Sequence, residues 1–514
     1  MDLKDHREAP KPAVILDRSG IEVSFDRLDS DANRLARFLR TRGLRVGDTV
    51  AVLMDNCEHV HVVMWAARRA GFYFTMINTD LTASEIAYVL RDSAATAIVA
   101  SASMRALCEV LTRSHHDALP PVRLIADSEM QDWAEYPSCC WGEPDAPVSS
   151  EREGQLLQYS AGTTGRPKGI RRPLRTPLPG RSSLCTPVFD ALGITQDSVY
   201  LSPAPIYHTA PAMWTMAAQS VGATTVLMQG FDAERTLALI DRHAVTHAQF
   251  VPTMFVRMLR LPADVRTAYD ISSLRRVVHA AAPCPPHIKQ AMIDWWGPII
   301  DEYYGSSEGA GITFIRAEDW LTRPGSVGRP ILGRPHIVDE NGVELPPGAT
   351  GQVYFDGGYE FEYLNDPGAT SASRSPEGWV SVGDVGHLDR DGYLYLTDRR
   401  HHMIISGGVN IYPREAENVL LEHPAVADVA VIGLPDPDLG QRSVAVVELT
   451  DSSSAGENLA KKLMEWTRSR LGRHKCPREI VFDQHLPRTE AGKLYKNRLI
   501  DRYGQDVSHV GENH

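Results

Sequence analysis

The residues best equipped for chemistry lie in one short run, Tyr159-Ser160-Ala161-Gly162-Thr163-Thr164-Gly165-Arg166-Pro167-Lys168-Gly169. Three glycines, three aliphatic hydroxyls and one lysine share these eleven positions. Glycine lets the backbone curl with its N–H groups turned onto an anion, hydroxyls add neutral donors, and lysine adds a point charge. That is equipment for holding a polyphosphate. A Walker A loop is excluded, because the fifth residue after Gly162 would have to be glycine and is Pro167. Composition alone fits a solvated turn equally well; the order of residues and the company they keep decide between the two.

That company is extensive. Ala280-Ala281-Ala282-Pro283 is a strip of small residues against which a flat base could lie. Asp301-Glu302-Tyr303-Tyr304-Gly305-Ser306-Ser307-Glu308-Gly309 ends an apolar stretch with hydroxyls and a carboxylate, oxygen ligands of the kind Mg²⁺ prefers. Gly378-Trp379-Val380-Ser381-Val382-Gly383-Asp384 is followed fourteen residues later by Asp398-Arg399. Pro203-Ala204-Pro205-Ile206-Tyr207-His208, Ile405-Ser406-Gly407-Gly408-Val409-Asn410-Ile411 and Leu486-Pro487-Arg488-Thr489-Glu490-Ala491-Gly492-Lys493 complete the set. In this order and spacing, over nearly the whole chain, the segments resemble the adenylate-forming superfamily: acyl-CoA synthetases, luciferases and peptide-synthetase adenylation domains. The chain looks most like bacterial acyl-CoA synthetases for fatty or bulky polycyclic acids.

The resemblance implies a role for each matching residue. Ser160, Gly162, Thr163, Thr164, Gly165 and Lys168 would hold the phosphates, with Lys168 also counted as catalytic. Ala281, Ala282, Pro283 and Tyr304 would border the adenine, Ser307 would contact the α-phosphate, and Gly305 and Ser306 would belong to the same nucleotide site. Glu308, with Thr164, would hold Mg²⁺; Asp384 would receive the ribose hydroxyls and Arg399 would donate near them. His208 would gate the carboxylate, with no role as a base, since a carboxylate is already ionised at neutral pH. Lys493 would swing in to stabilise charge during adenylation. Ser406, Gly407 and Gly408 would line the CoA channel in a second orientation of the C-terminal domain, reached by rotation at His402. The acyl group would lie near Thr209, Met213, Thr253 and Met254. ATP, Mg²⁺ and CoA are the implied cofactors, and a small-molecule carboxylic acid the implied partner; the resemblance also leaves room for a homodimer.

Two departures stand out. The family's Thr-Ser before the first loop glycine is Ser160-Ala161 here, and the closing Lys-Asp of the family hinge is replaced in Asp398-Arg399-Arg400-His401-His402. Three readings therefore stay open: a complete acyl-CoA ligase, a relative that only forms thioesters or loads a carrier protein, and a non-catalytic binder of nucleotide or acyl groups.

The elements that must position these residues are legible in the periodicity. Helical spacing at Leu28, Ala32, Leu35, Ala36 and Leu39 stops at Gly43. Strands are expected at 50–53, 72–77 and 97–100, alternating with helices at 60–70 and 85–90. Short apolar strands separated by amphipathic helices predict a parallel, doubly wound α/β sheet. Residues 119–150, rich in Pro, Ser and acidic side chains, are expected to cross the surface as loop. A second alternating stretch spans 199–305, and glycine-punctuated short strands mark a β-rich part at about 325–397. The expected division is a large N-terminal domain (1–397), a hinge (398–402) and a small mobile α+β C-terminal domain (403–514). That last domain has helices at 413–421 and near 459–471 around strands at 426–432 and 444–449.

A chain of 514 residues exceeds what one core holds, and a net charge of −12 argues against a nucleic-acid partner. Seven cysteines without a Cys-x2-Cys pair argue against a zinc site and for a reducing, cytoplasmic setting. No apolar run is long enough for a transmembrane segment, and the polar N-terminus lacks a signal-peptide core.

Overall fold

Alternate residues of the strand Thr49–Leu53 belong to different cores: Val50 and Val52 face one, Ala51 and Leu53 another. Side chains of a strand point to opposite faces in turn, so a strand apolar at every position is covered on both sides. The same division recurs in a second sheet. Tyr200, Leu227 and Val278 face the core that holds Val50, whereas Leu201, Val226 and Val277 face a third. The two sheets thus share a central layer, and the body is five layers deep. Helices Phe25–Thr41, Val60–Ala70 and Thr209–Ser220 fill the centre. Ala83–Asp92 and Arg105–Ser114 cover one outside; Ala233–His243, Pro252–Leu259 and Pro286–Trp296 cover the other. The expected doubly wound α/β architecture is what the chain adopts.

The structure is a computed structural model and describes residues 3–148, 150–160, 167–177, 186–406, 409–488 and 494–504. The smaller sheet of the body has five strands, all parallel. The larger has thirteen: a parallel centre of Pro12–Leu16, Thr224–Leu227, Val199–Ser202, His247–Phe250, Arg276–His279 and Ile300–Gly305, extended by antiparallel strands. The extension from Ile312–Ile315 through Leu394–Arg399 contains the glycine-punctuated stretch. Residues 119–150 depart from expectation. They contribute strands Val122–Ala126 and Ala134–Tyr136 to the edge of the smaller sheet, with Trp133 and Tyr136 buried. The edge strand Ala134–Tyr136 is too short to need an apolar run, and Val122–Ala126, largely apolar and paired on both sides, is only five residues within an otherwise polar stretch.

After Arg399 the chain builds a separate unit with its own cores. In the strand Val426–Asp436, Val429 and Val431 face helices Pro413–Leu421 and Glu457–Arg468, while Ala430 and Ile432 face Lys496–Gly504. Among the described residues no helix is long and apolar enough to cross a membrane.

Candidate functional site

Between the body and the C-terminal unit lies a cleft of about 1890 Å³, lined by residues of both. Its polar side is organised by Asp384, a buried carboxylate that stands directly opposite Arg399 in an antiparallel ladder. Facing residues of such a pair project to the same side, and Arg399 Nε lies 3.1 Å from Asp384 Oδ1. The other carboxylate oxygen accepts the Tyr304 hydroxyl at 2.5 Å. Burial, reinforced by the Asp384 charge, drives the Tyr304 phenol well above its ordinary range, so it remains a neutral donor.

One turn beyond Tyr304, the Glu308 carboxylate is 9% exposed and accepts the Tyr363 hydroxyl at 2.9 Å. Among the described residues no cation pairs with it. A buried carboxylate that takes its hydrogen bond from a neutral hydroxyl, with the Arg172 charge nearby but not in contact, is costly, and its oxygens suit a hard divalent cation. Lys168 flanks this corner, 3.0 Å from Asp366 and 5.5 Å from the Tyr363 ring centre. Arg172 donates to the Ser307 carbonyl at 2.6 Å. The Ser306 hydroxyl is buried in the cleft wall without a partner among the described residues. The strip after strand Arg276–His279 holds Ala281 at φ 72°. A non-glycine residue there costs about 1 kcal/mol, the kind of strain that gathers at working sites.

Helix Thr209–Ser220 borders the apolar side. His208 immediately precedes it and packs its ring 4.8 Å from that of Tyr207, and the Thr209 and Ser307 hydroxyls meet at 3.0 Å. From the C-terminal unit, Lys496 donates to Glu417 at 2.6 Å, and Arg488 grips Asp428 at 2.5 and 2.8 Å. All four of these residues line the cleft. At the junction, Asp398 accepts the backbone N–H groups of Arg399 and Arg414, with His402 Nδ1 at 3.6 Å.

The cleft therefore brings together Lys168, His208, Thr209, Met213, Thr253, Ala281, Ala282, Pro283, Tyr304, Gly305, Ser306, Ser307, Glu308, Asp384, Arg399 and His402. Gly162, Thr163, Thr164, Gly165, Gly407, Gly408 and Lys493 lie outside the described residues. So does the Ser160 side chain, although its backbone ends a strand opposite Lys168. Ser406, on a strand of the C-terminal unit, is not part of the cleft wall. Met254 corrects the sequence reading: it is in the core with Phe255 and Met258, not in the pocket. The Pro252–Leu259 helix turns those three residues toward the sheet and Thr253 toward the cleft. Tyr200 and Gln249 also line the cleft and escaped the sequence reading, since each sits alone among core residues; Trp214 and Tyr303 line it as well.

Residues 3–361 match the family described as AMP-binding enzyme, and residues 415–493 its C-terminal domain. The chain belongs to this family. Among relatives of the AMP-binding enzyme, feruloyl-CoA synthase of Amycolatopsis sp is 32% identical over 96% of each chain. Long-chain-fatty-acid–CoA ligase of Bacillus subtilis (strain 168) is 29% identical, covering 94% of this chain and 90% of its own. ATP-bound MatB from Rhodopseudomonas palustris superposes with a TM-score of 0.85 at 27% identity, over 98% of each chain. This AMP-binding enzyme is an acid–thiol ligase of the AMP-forming, acyl-CoA synthetase type, and its cofactors are ATP, Mg²⁺ and CoA.

Proposed function

We propose that the enzyme activates a hydrophobic carboxylic acid, fatty or bulky and polycyclic in kind, as acyl-AMP and passes the acyl group to CoA. The observation that carries this reading is convergence. Tyr304, Ser306, Glu308, Asp384 and Arg399, drawn from separate stretches, meet in one cleft that continues into an apolar pocket beside Thr209 and Met213. The described residues that line the apolar pocket, Tyr200, Thr209, Met213, Trp214 and Tyr303, include no carboxylate to grip an amino group, which favours a neutral, apolar acyl group.

In the first step the acid's carboxylate attacks the α-phosphorus of ATP and pyrophosphate departs. Asp384 accepts the ribose hydroxyls while Tyr304 and Arg399 hold it in place. The Ser306 and Ser307 hydroxyls and Lys168 meet the phosphates, with His208 beside the carboxylate. Glu308 would hold Mg²⁺, which supplies neutralisation of phosphate charge. Catalysis is chiefly positioning and charge stabilisation, completed by Lys493 from the C-terminal domain. In the second step that domain (403–514) rotates on residues 398–402 against the body (1–397). Lys493 withdraws, and Ser406, Gly407 and Gly408 come forward to guide the CoA thiol to the acyl carbon, where the new C–S bond displaces AMP and the thiol proton is released. A cytoplasmic location fits the free cysteines of the described chain.

A panel of carboxylic acids, assayed separately for pyrophosphate release and for CoA thioester, tests the reading. Both products are expected with the same acids. Pyrophosphate release with no acid of the panel would overturn it.

A further inference from the structure

The floor of the acyl pocket is a stack of rings. Trp214 lies between Tyr200, 6.4 Å away with planes 20° apart, and Tyr303, 5.7 Å away with planes 24° apart. Phe189 packs against the same indole at 6.1 Å. Trp214 is also the last residue of its helix on the cavity wall; beyond it Met216, Ala217 and Ala218 are sealed in the central core. At 1.5 Å per residue, the five positions from Thr209, at the carboxylate end, to Trp214 give a depth of ~7.5 Å. That is about the length of a substituted ring and too short for a long extended chain.

Polar groups at this floor are answered unequally. The Tyr303 hydroxyl accepts Gln249 Nε2 at 2.8 Å. The Tyr200 hydroxyl, on a side chain 1% exposed, has no partner among the described residues. Tyr200 shares its strand face with Ser202, and both line the cavity, whereas Leu201 between them packs into the opposite core. A buried hydroxyl without a partner is rare, and a ligand atom that meets it gains a hydrogen bond. Flat aromatic walls favour flat aromatic groups, in offset or edge-on contact.

Building on the ligase reading above, but replacing its fatty or polycyclic acid with a smaller one, we infer that the acid is short and ring-bearing, with a hydrogen-bonding substituent remote from its carboxylate. Trp214 sets its length, and Tyr200 recognises the substituent. Both are specificity-determining residues of the acyl pocket.

The test compares para-hydroxycinnamic acid, cinnamic acid, and octanoic, dodecanoic and palmitic acids by kcat/KM for acid-dependent pyrophosphate release. The hydroxylated ring acid is expected to exceed both the plain ring acid and every straight-chain acid by about tenfold. Tyr200→Phe, which removes one oxygen and keeps the ring, should collapse the ratio of hydroxylated to plain ring acid to about one, mainly through KM. Trp214→Leu should move the optimum toward longer chains. Preference of the wild-type enzyme for dodecanoic or palmitic acid would overturn the inference and leave the ligase reading standing. So would an unchanged ratio in Tyr200→Phe. Absence of pyrophosphate release with all five acids would overturn both.

Discussion

On the side of the cleft proposed for nucleotide, Asp384 holds Tyr304 by a hydrogen bond and Arg399 by an ion pair. On the side proposed for the acid, Tyr200, Trp214 and Tyr303 hold one another by ring contact. The first arrangement depends on charge and direction and presents hydrogen-bonding groups at set positions. The second depends on shape and selects a ligand by how it fills the space between the rings. The contrast teaches where the chain can vary: substitutions on the polar side should remove chemistry, and those on the aromatic side should redirect it.

The sharpest way to break that contrast is Lys493→Ala. Losing a charge-stabilising group should raise the barrier to adenylation by about 3–4 kcal/mol, or roughly 10² to 10³ in rate, while thioester formation from supplied acyl-AMP is retained. Equal losses in the two half-reactions would contradict the role. Met254→Ala, beneath the acyl side, should lower stability by about 3 kcal/mol in denaturant titration and leave the order of acid preference unaltered, because its side chain fills core and not pocket. A changed preference order would return Met254 to the pocket. Asp384→Asn keeps the shape but surrenders the charge that Arg399 answers. The KM for ATP should rise about tenfold or more, with KM for the acid little changed. A matching rise in both would erase the distinction between the two sides.

The smallest effect concerns the charged cluster behind the adenine strip. Burial would raise the Glu302 carboxyl, but Lys289 at 2.8 Å and His279 at 3.3 Å hold it down at about 2, against an ordinary 4.5. A depressed carboxyl stabilises the fold above its unfolded value and loses that contribution as pH falls from about 4.5 toward about 2. Melting temperatures measured between about pH 5 and 3 should fall less steeply in a Glu302→Gln, Lys289→Gln double variant than in the wild type. Parallel slopes would remove the cluster from the acid response.

The polar side was more legible in the sequence than the aromatic side. Tyr304, Glu308, Asp384 and Arg399 sit in short segments that are ordinary one at a time and stand out through their resemblance, in order and spacing, to the family's motifs. Their mutual bonding was not legible, because it depends on the register that sets Asp384 opposite Arg399. Tyr200, Gln249 and Tyr303 come from three strands, and only the order of strands in the sheet makes them neighbours. Helical periodicity could not say which face of Pro252–Leu259 meets the sheet, since apolar residues occupy most of its turns. Lys289 and His279, the buried partners of Glu302, lie in no motif that would mark them.

The helix Thr209–Ser220 does two jobs at once, walling the pocket at its start and filling the space between two sheets over the rest of its length. Evolution can therefore retune the first turns cheaply, through Thr209, Ala210 and Met213. Deeper changes disturb the packing of the entire body. Divergence toward new acids should accumulate at the mouth of the pocket first, and a change at Trp214 should arrive only with compensating substitutions on the strands beneath it.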